Sequence, residues 1–480
     1  MANERPELSA RRASITCAWP AAALVLASSL CACGSAPKSE QPAESTPKSH
    51  GQAPLVTADV TRSVVTTAPS GAAPAAAEPI TDVEKALEYD PKDPLGDLES
   101  ADAIDRLAHG GAREKNAGAK PPAGGCVVVD EGRRVWPAKG PSAIAAVGGG
   151  DFVVAGYATR DGREQLFVVR VPPDQLPEPV IALDISPALP RARTAAPGLA
   201  VRDVNDISVA TIDGAGKLIV RRLRLGRAGH GAPIELATGV DARFAPAVAQ
   251  YQNRTLVAWT AGTTPMRTLL ARVSSDDTVL STGDLTPPSM GAAAPTFVSG
   301  ASPPVLVAVD ARNGMSPLLR IDFGADAVPQ AAQVALPLSI VSAPPQLAAA
   351  SSSIGTYAAF AGMGSAATSA VGLVAIAPIA GTPSAIVKGT AYGPLYLSAA
   401  AAPRALIFAA DAPTKPGKEP PHEIHVHVVG MQGPGAATVL HGPGTAEQVA
   451  IARDDGGDVG VVFSGDSGVY VARLRCDDGA

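Results

Sequence analysis

A short apolar run recurs seven times between residues 150 and 465, and nothing else in the chain constrains its fold as tightly. The runs are Val154-Ala155-Gly156, Val209-Ala210-Thr211, Val257-Ala258-Trp259, Val307-Ala308-Val309, Ala358-Ala359-Phe360, Leu406-Ile407-Phe408 and Val461-Val462-Phe463. Their third positions lie 48 to 55 residues apart, about 51 on average. A period of this length marks a repeated supersecondary unit rather than a set of unrelated domains. Each run is too short for a buried helix and is bounded by Gly, Pro, Asp or Asn, which points to strands. A third strand rich in Val, Leu and Arg follows, as in Leu166-Phe167-Val168-Val169-Arg170-Val171 and Val469-Tyr470-Val471-Ala472-Arg473-Leu474. A fourth precedes the next unit in six cases: Val180–Leu183, Ile234–Leu236, Thr278–Leu280, Val334–Leu336, Ala385–Val387 and Thr438–Leu440. With a first strand opening after a small residue or Pro, each unit holds four short strands. The 48 Gly and 45 Pro among 480 residues fit the turns such a chain needs and disfavour long helices.

The first 33 residues have the layout of an export signal: Arg11 and Arg12, then an apolar stretch around Ala21–Ala27 that is too short for a permanent transmembrane helix. It ends in Leu30-Cys31-Ala32-Cys33-Gly34, and Leu-x-Ala-Cys resembles a bacterial lipobox. The resemblance implies that Cys33 receives a diacylglyceryl group and becomes the first residue after cleavage; a Cys at position 31 departs mildly from the pattern. Residues 1–32 are then a signal peptide. Residues 33–125, rich in Pro, Ala, Ser, Glu and Lys, read as a lipidated flexible tether, because Ala-dominated apolar content cannot offset the entropy of ordering. Two short helices are expected to interrupt it. One is capped at Thr81-Asp82-Val83-Glu84 and runs into Lys85-Ala86-Leu87; the other lies over 101–109, with Ile104, Leu107 and Ala108 on one face.

Residues 126–480 resemble a β-propeller, an all-β fold of four-stranded blades, here with seven. The match is architectural: the repeating Gly-His and Trp-Asp dipeptides of WD40 blades, the Asp-box of sialidases and the recurrent Trp of quinone-binding propellers are all missing. The seventh unit lacks a fourth strand, and the opening strand Cys126–Val129 belongs to no complete unit. Pairing the opening strand beside Val469–Leu474 closes the ring. Cys17 and Cys31 leave with the signal and Cys33 carries lipid, so Cys126 and Cys476 remain, and ring closure brings them together as a disulfide in an oxidising compartment.

The chemical candidates are few. In His422-Glu423-Ile424-His425-Val426-His427, His425 and His427 share a strand face and are weak metal candidates with no identified third ligand; a solvated or packed strand face explains them better. Asp454, Asp455 and Asp458 surround Gly456-Gly457 and read as a polar turn rather than a calcium loop. Asp213-Gly214-Ala215-Gly216 and Asp310-Ala311-Arg312-Asn313-Gly314 read as hairpin turns. Arg170, Arg221, Arg222, Arg272 and Arg473 alternate with apolar positions and are expected to face solvent and blunt sheet edges. There is no Gly-x-Ser-x-Gly elbow and no glycine-rich phosphate loop, so no catalytic residue and no cofactor is expected.

A net charge of −6 argues against a nucleic-acid partner. The expectation is therefore a cell-envelope lipoprotein, held at the outer membrane or periplasmic face or exposed at the surface. It meets the membrane through its lipid, and its propeller loops bind a protein or an envelope polymer. The alternative is a carbohydrate-active hydrolase or lyase working at the channel mouth, which an aromatic content of 4% serves poorly.

Overall fold

The computed structural model describes residues 119–479 except 161, 174, 190–193, 226–230, 263–264, 287–290, 311–317, 337–346, 364–371, 380–383, 390–395, 414–421 and 443. Cys33, the signal peptide and the two short helices expected within the tether lie outside the described residues. Among the described residues there are strands and turns but no α-helix, and hence no helix long and apolar enough to cross a membrane.

The described strands form seven antiparallel sheets, each a meander in which chain neighbours pair. Sheets one to seven occupy residues 142–184, 198–237, 247–284, 293–336, 347–389, 397–440 and 447–476. Six are four-stranded; the sixth has five because its outer strand is split into Gly433–Pro434 and Thr438–Leu440, both paired with His422–Gly430. Consecutive sheets stack face to face, the arrangement of a β-propeller. All seven recurring runs fall on second strands, from Asp151–Arg160 to Asp458–Gly465. These strands are buried on both faces, with Val153, Val154, Val209, Val257, Val307, Leu406 and Val461 at 0% exposure. That double burial explains why they read as continuous apolar runs rather than as alternation.

The fourth strand of sheet seven comes from the other end of the domain. Cys126–Trp136 pairs with Gly468–Cys476 along its length, Cys126 opposite Cys476, and the two are joined by a disulfide across 350 residues of sequence. This strand is longer than the expected Cys126–Val129 because three register irregularities, one around Gly132 (φ +139°), carry it past Asp130 to Trp136. Trp136 then stacks on Phe167 of sheet one at 4.6 Å, inside a cluster that also holds Val469, Val471, Phe152 and Val154.

The five arginines expected at solvent-facing edges behave differently. Arg473 is buried, 1% exposed. Like the other four it lies on a third strand covered on its outer side by a fourth, here Cys126–Trp136, so the alternation rule for an edge does not apply. It donates across the seam to the carbonyl oxygens of Gly150 (2.6 Å) and Val171 (2.9 Å) in sheet one, and its guanidinium lies 4.9 Å from the Phe152 ring. Arg222 likewise reaches from sheet two to the Ser274 (2.5 Å) and Ser275 (2.8 Å) carbonyls of sheet three. Arg133 reaches the carbonyls of Pro173 (2.6 Å) and Gln175 (2.9 Å). Arg170 and Arg272 stay within their own sheets, on Asp151 and Ser281. Arg221 makes a long contact to Thr211, and burial lowers its pKa. The planar fork of arginine suits this use, since it can hold two carbonyls at once.

Candidate functional site

Where the sheets converge, their first strands line one cavity of about 310 Å³. All seven contribute: Ile144, Leu199, Val248 and Thr296 from sheets one to four, and Leu347, Leu397 and Ile451 from sheets five to seven. The first strands can approach closely because they are built on small residues, as in Leu347–Ser352 (LAAASS) and Leu397–Ala401 (LSAAA). The segments 194–197 and 243–246, leading into sheets two and three, complete the lining. Close packing at this end leaves little slack: a Cβ on Gly140 would lie 1.6 Å from the Tyr157 carbonyl oxygen.

Most described hydroxyls around the cavity are engaged in joining sheets or shaping turns. Ser398 accepts from the Ile451 amide (2.9 Å), linking sheets six and seven. Thr296 donates to the Leu347 carbonyl (3.4 Å), linking four and five. Ser464 donates to the Gly140 carbonyl (2.9 Å), and Ser142 to the same oxygen (3.2 Å). Thr260 accepts from the Ala294 amide (3.1 Å). What the lumen offers is therefore a mixed wall, aliphatic side chains beside polar surface of similar extent. Among the described lining residues one side chain is charged, Arg243. Its guanidinium chelates Asp241 and sits 5.6 Å from the Phe244 ring. The pairing raises the pKa of Arg243, while Asp241, despite a burial that pushes the other way, is lowered by its bonds to Arg243.

Beside the cavity a polar cluster closes the seam between sheets six and seven. Asp411, 1% exposed, accepts from the Tyr396 amide (2.6 Å) and the Gln448 amide (3.2 Å). Gln448 in turn donates to the Tyr396 hydroxyl (3.4 Å) and accepts from Ser464 (3.1 Å). The His422 Nδ1 stands 3.8 Å from Asp411. Burial raises the pKa of Asp411 and pushes Tyr396 up to about 12; the facing Asp411 carboxylate raises that of His422. A buried acid and an imidazole side by side could exchange a proton, but both oxygens of Asp411 are already held by backbone amides on two sheets, which makes it a strut. No sequence signal picked out Asp411 or Tyr396; only the fold brings them together from positions 15 and 37 residues apart from their partners.

The histidine motif lies on the third strand of sheet six. His425 bonds Glu423 (2.8 Å), whose other oxygen meets His441 at 3.4 Å. His427 is buried, and burial lowers its pKa. Among the described residues no group of three or more His, Cys, Asp or Glu is placed to hold a metal. Asp454 caps the expected turn, accepting from the Asp458 amide (2.8 Å), and its burial raises its pKa. Asp213 caps the other described turn through the amides of Ala215 and Lys217, both at 2.9 Å. The turn expected at Asp310–Gly314 falls largely outside the described residues.

No protein-family model matches the chain, and no curated protein matches it. Solved structures do. A puromycin hydrolase is similar over 71% of this chain and 52% of its own, at 16% identity and a TM-score of 0.44, so this chain spans about half of that enzyme's length. The Aleuria aurantia lectin, a fucose-recognising six-bladed β-propeller, is similar over 71% of this chain and 93% of its own, at 9% identity and a TM-score of 0.38. The Trypanosoma rangeli sialidase, solved with sialic acid, is similar over 74% and 59%, at 10% identity and a TM-score of 0.39.

Proposed function

We propose that this protein is a lipid-anchored binding module of the cell envelope. Its seven sheets act as the blades of one ring, closed by the strand Cys126–Trp136, and the mouth of the shared lumen is the contact site for a protein or envelope ligand. One observation carries the reading: the lumen is lined by all seven first strands, and the hydroxyls of Ser142, Thr296 and Ser398 are engaged in the scaffold rather than presented to a substrate. A wall whose hydroxyls are mostly committed in this way suits binding better than group transfer, which needs polar groups free to move protons. The anchor at Cys33 and the tether over 33–125 would hold this mouth at a variable distance from the membrane.

The binding test uses Ala245, an exposed lining residue. Ala245→Trp should plug the mouth and abolish capture of envelope partners by the full-length protein, with its thermal melt unchanged. Capture that is indifferent to the plug removes the mouth as the contact site. For the anchor, Cys33→Ala should release the protein from the membrane fraction; unchanged association sinks lipidation. The second reading, a glycan hydrolase or lyase, would draw on Asp411 and His422 as the acid–base pair nearest the lumen. Turnover of a glycan panel that disappears in both Asp411→Asn and His422→Gln would favour it.

A further inference from the structure

The lumen combines aliphatic side chains with one charged side chain among its described lining residues, and this combination specifies a ligand class more narrowly than a binding role does. We propose that the mouth takes a small molecule with an apolar body and a single oxyanion, the body seated among the first strands and the oxyanion on Arg243; this rests on the lumen being the binding site.

Three observations lead there. The cavity, about 310 Å³, sits at the lower end of the range for small-molecule sites and admits a ring system or a short chain. Ile144, Leu199, Val248, Leu347 and Leu397 give the wall aliphatic patches on which an apolar body can be seated, while the hydroxyls of Ser142, Thr296 and Ser398 are already committed to backbone groups of the scaffold. Arg243 differs from the other lining residues in charge and in exposure. Its side chain is 67% exposed, and Asp241 takes Nε (2.9 Å) and Nη2 (2.5 Å), which fixes the guanidinium plane and leaves the Nη1 edge of the fork for an incoming oxygen. The Phe244 ring beneath the guanidinium holds it at the rim. An arginine immobilised in this way has lost its rotamer entropy before the ligand arrives, so an oxyanion gains a preorganised donor. The same carboxylate that orients the fork also neutralises part of its charge. The gain from the oxyanion is therefore a modest increment on apolar burial, and polyanions have no second cation to meet among the described lining residues.

A matched pair of fluorescent probes separates the two parts of the proposal. 1-Anilinonaphthalene-8-sulfonate carries the anion, and N-phenyl-1-naphthylamine is the same ring system without it. The full-length protein should bind the sulfonate saturably with one site per chain and the neutral probe about tenfold more weakly. Arg243→Gln should weaken the sulfonate about tenfold and leave the neutral probe unchanged, while Ala245→Trp should abolish both, with the thermal melts of both variants at the wild-type value. Equal affinity for the two probes, or a sulfonate affinity untouched by Arg243→Gln, overturns the oxyanion assignment. Absence of saturable binding by either probe overturns the ligand class. If either happens while partner capture remains sensitive to Ala245→Trp, the binding-module reading stands and this inference alone falls.

Discussion

Replacing Arg473 with Met removes the cation at the seam between the last sheet and the first. The flexible Met side chain can occupy much of the volume, so the change isolates polar interactions from cavity formation. The guanidinium makes two charge-assisted hydrogen bonds, to the Gly150 and Val171 carbonyls, each worth about 1.5–3 kcal/mol. Its position 4.9 Å from the Phe152 ring adds up to about 2 kcal/mol when desolvated. Against this stands the desolvation of a buried charge, which Met does not incur. Met leaves two buried carbonyls without their donor, at about 1–3 kcal/mol each, and with the relieved desolvation set against this the net loss is about 2–4 kcal/mol. Urea unfolding followed through tryptophan fluorescence reads it, since Trp136 stacks on Phe167 in the same seam. Arg473→Lys keeps the charge but replaces the fork with a single ammonium, and should lose about half as much. A double-mutant cycle with Phe152→Leu should return a coupling of about 1–2 kcal/mol. An Arg473→Met protein within 1 kcal/mol of wild type (an order-of-magnitude threshold for one ordinary hydrogen bond) would refute the view that this arginine holds the seam.

Removing both Cys126 and Cys476 as alanines should lower equilibrium stability by up to about 6 kcal/mol on the chain-entropy relation for a loop of 350 residues, with slower refolding and a nearly unchanged unfolding rate, as stopped-flow unfolding and refolding would show. Gly140→Ala should destabilise by about 1–3 kcal/mol in a thermal melt, because the atom its Cβ meets is a backbone carbonyl that cannot swing away. His427 is held neutral by burial, so its depressed pKa gives stability that is fully present above the unfolded value, about 6.5, and lost as pH falls; His422, raised by Asp411, works in the opposite direction. His427→Phe should therefore lose less stability than wild type between pH 7.5 and pH 5 (values of about one unit either side of the histidine range), and parallel curves in urea titrations at the two pH values would contradict this.

The sequence revealed most about the parts of the fold that one strand can encode alone. A second strand buried on both faces has to be apolar at every position, so Val461-Val462-Phe463 announces itself wherever it occurs. Spacing then yields the unit, and counting yields the unmatched first strand and its cysteine. The arginines were misread because their environment depends on a neighbouring sheet. Arg473 and Arg170 have the same local pattern and both lie on third strands covered by a fourth, yet one has carbonyls from sheet one in reach, and the other pairs with Asp151 at about one-third exposure. Asp411 and Tyr396 carried no signal for a related reason. A buried aspartate that binds two distant amides looks, in sequence, like any aspartate at the end of a strand. The small, apolar first strands implied that a narrow channel could form, but Arg243 at its rim comes from a connecting segment, where position follows from the two sheets it joins rather than from periodicity.

The disulfide has a mechanical meaning as well as a thermodynamic one. Cys126 and Cys476 are the first register pair of the two strands, at the end where the chain enters the sheet from residue 125. Tension on that incoming chain would otherwise open the ladder like a zipper, one pair of hydrogen bonds at a time, starting at Val127 and Arg475. With the two sulfurs bonded ahead of the first rung, the load divides between both strands at once and the ladder is strained along its length. Peeling becomes shear, and the sheet gains resistance at the place where a pull on the incoming chain would first unravel it.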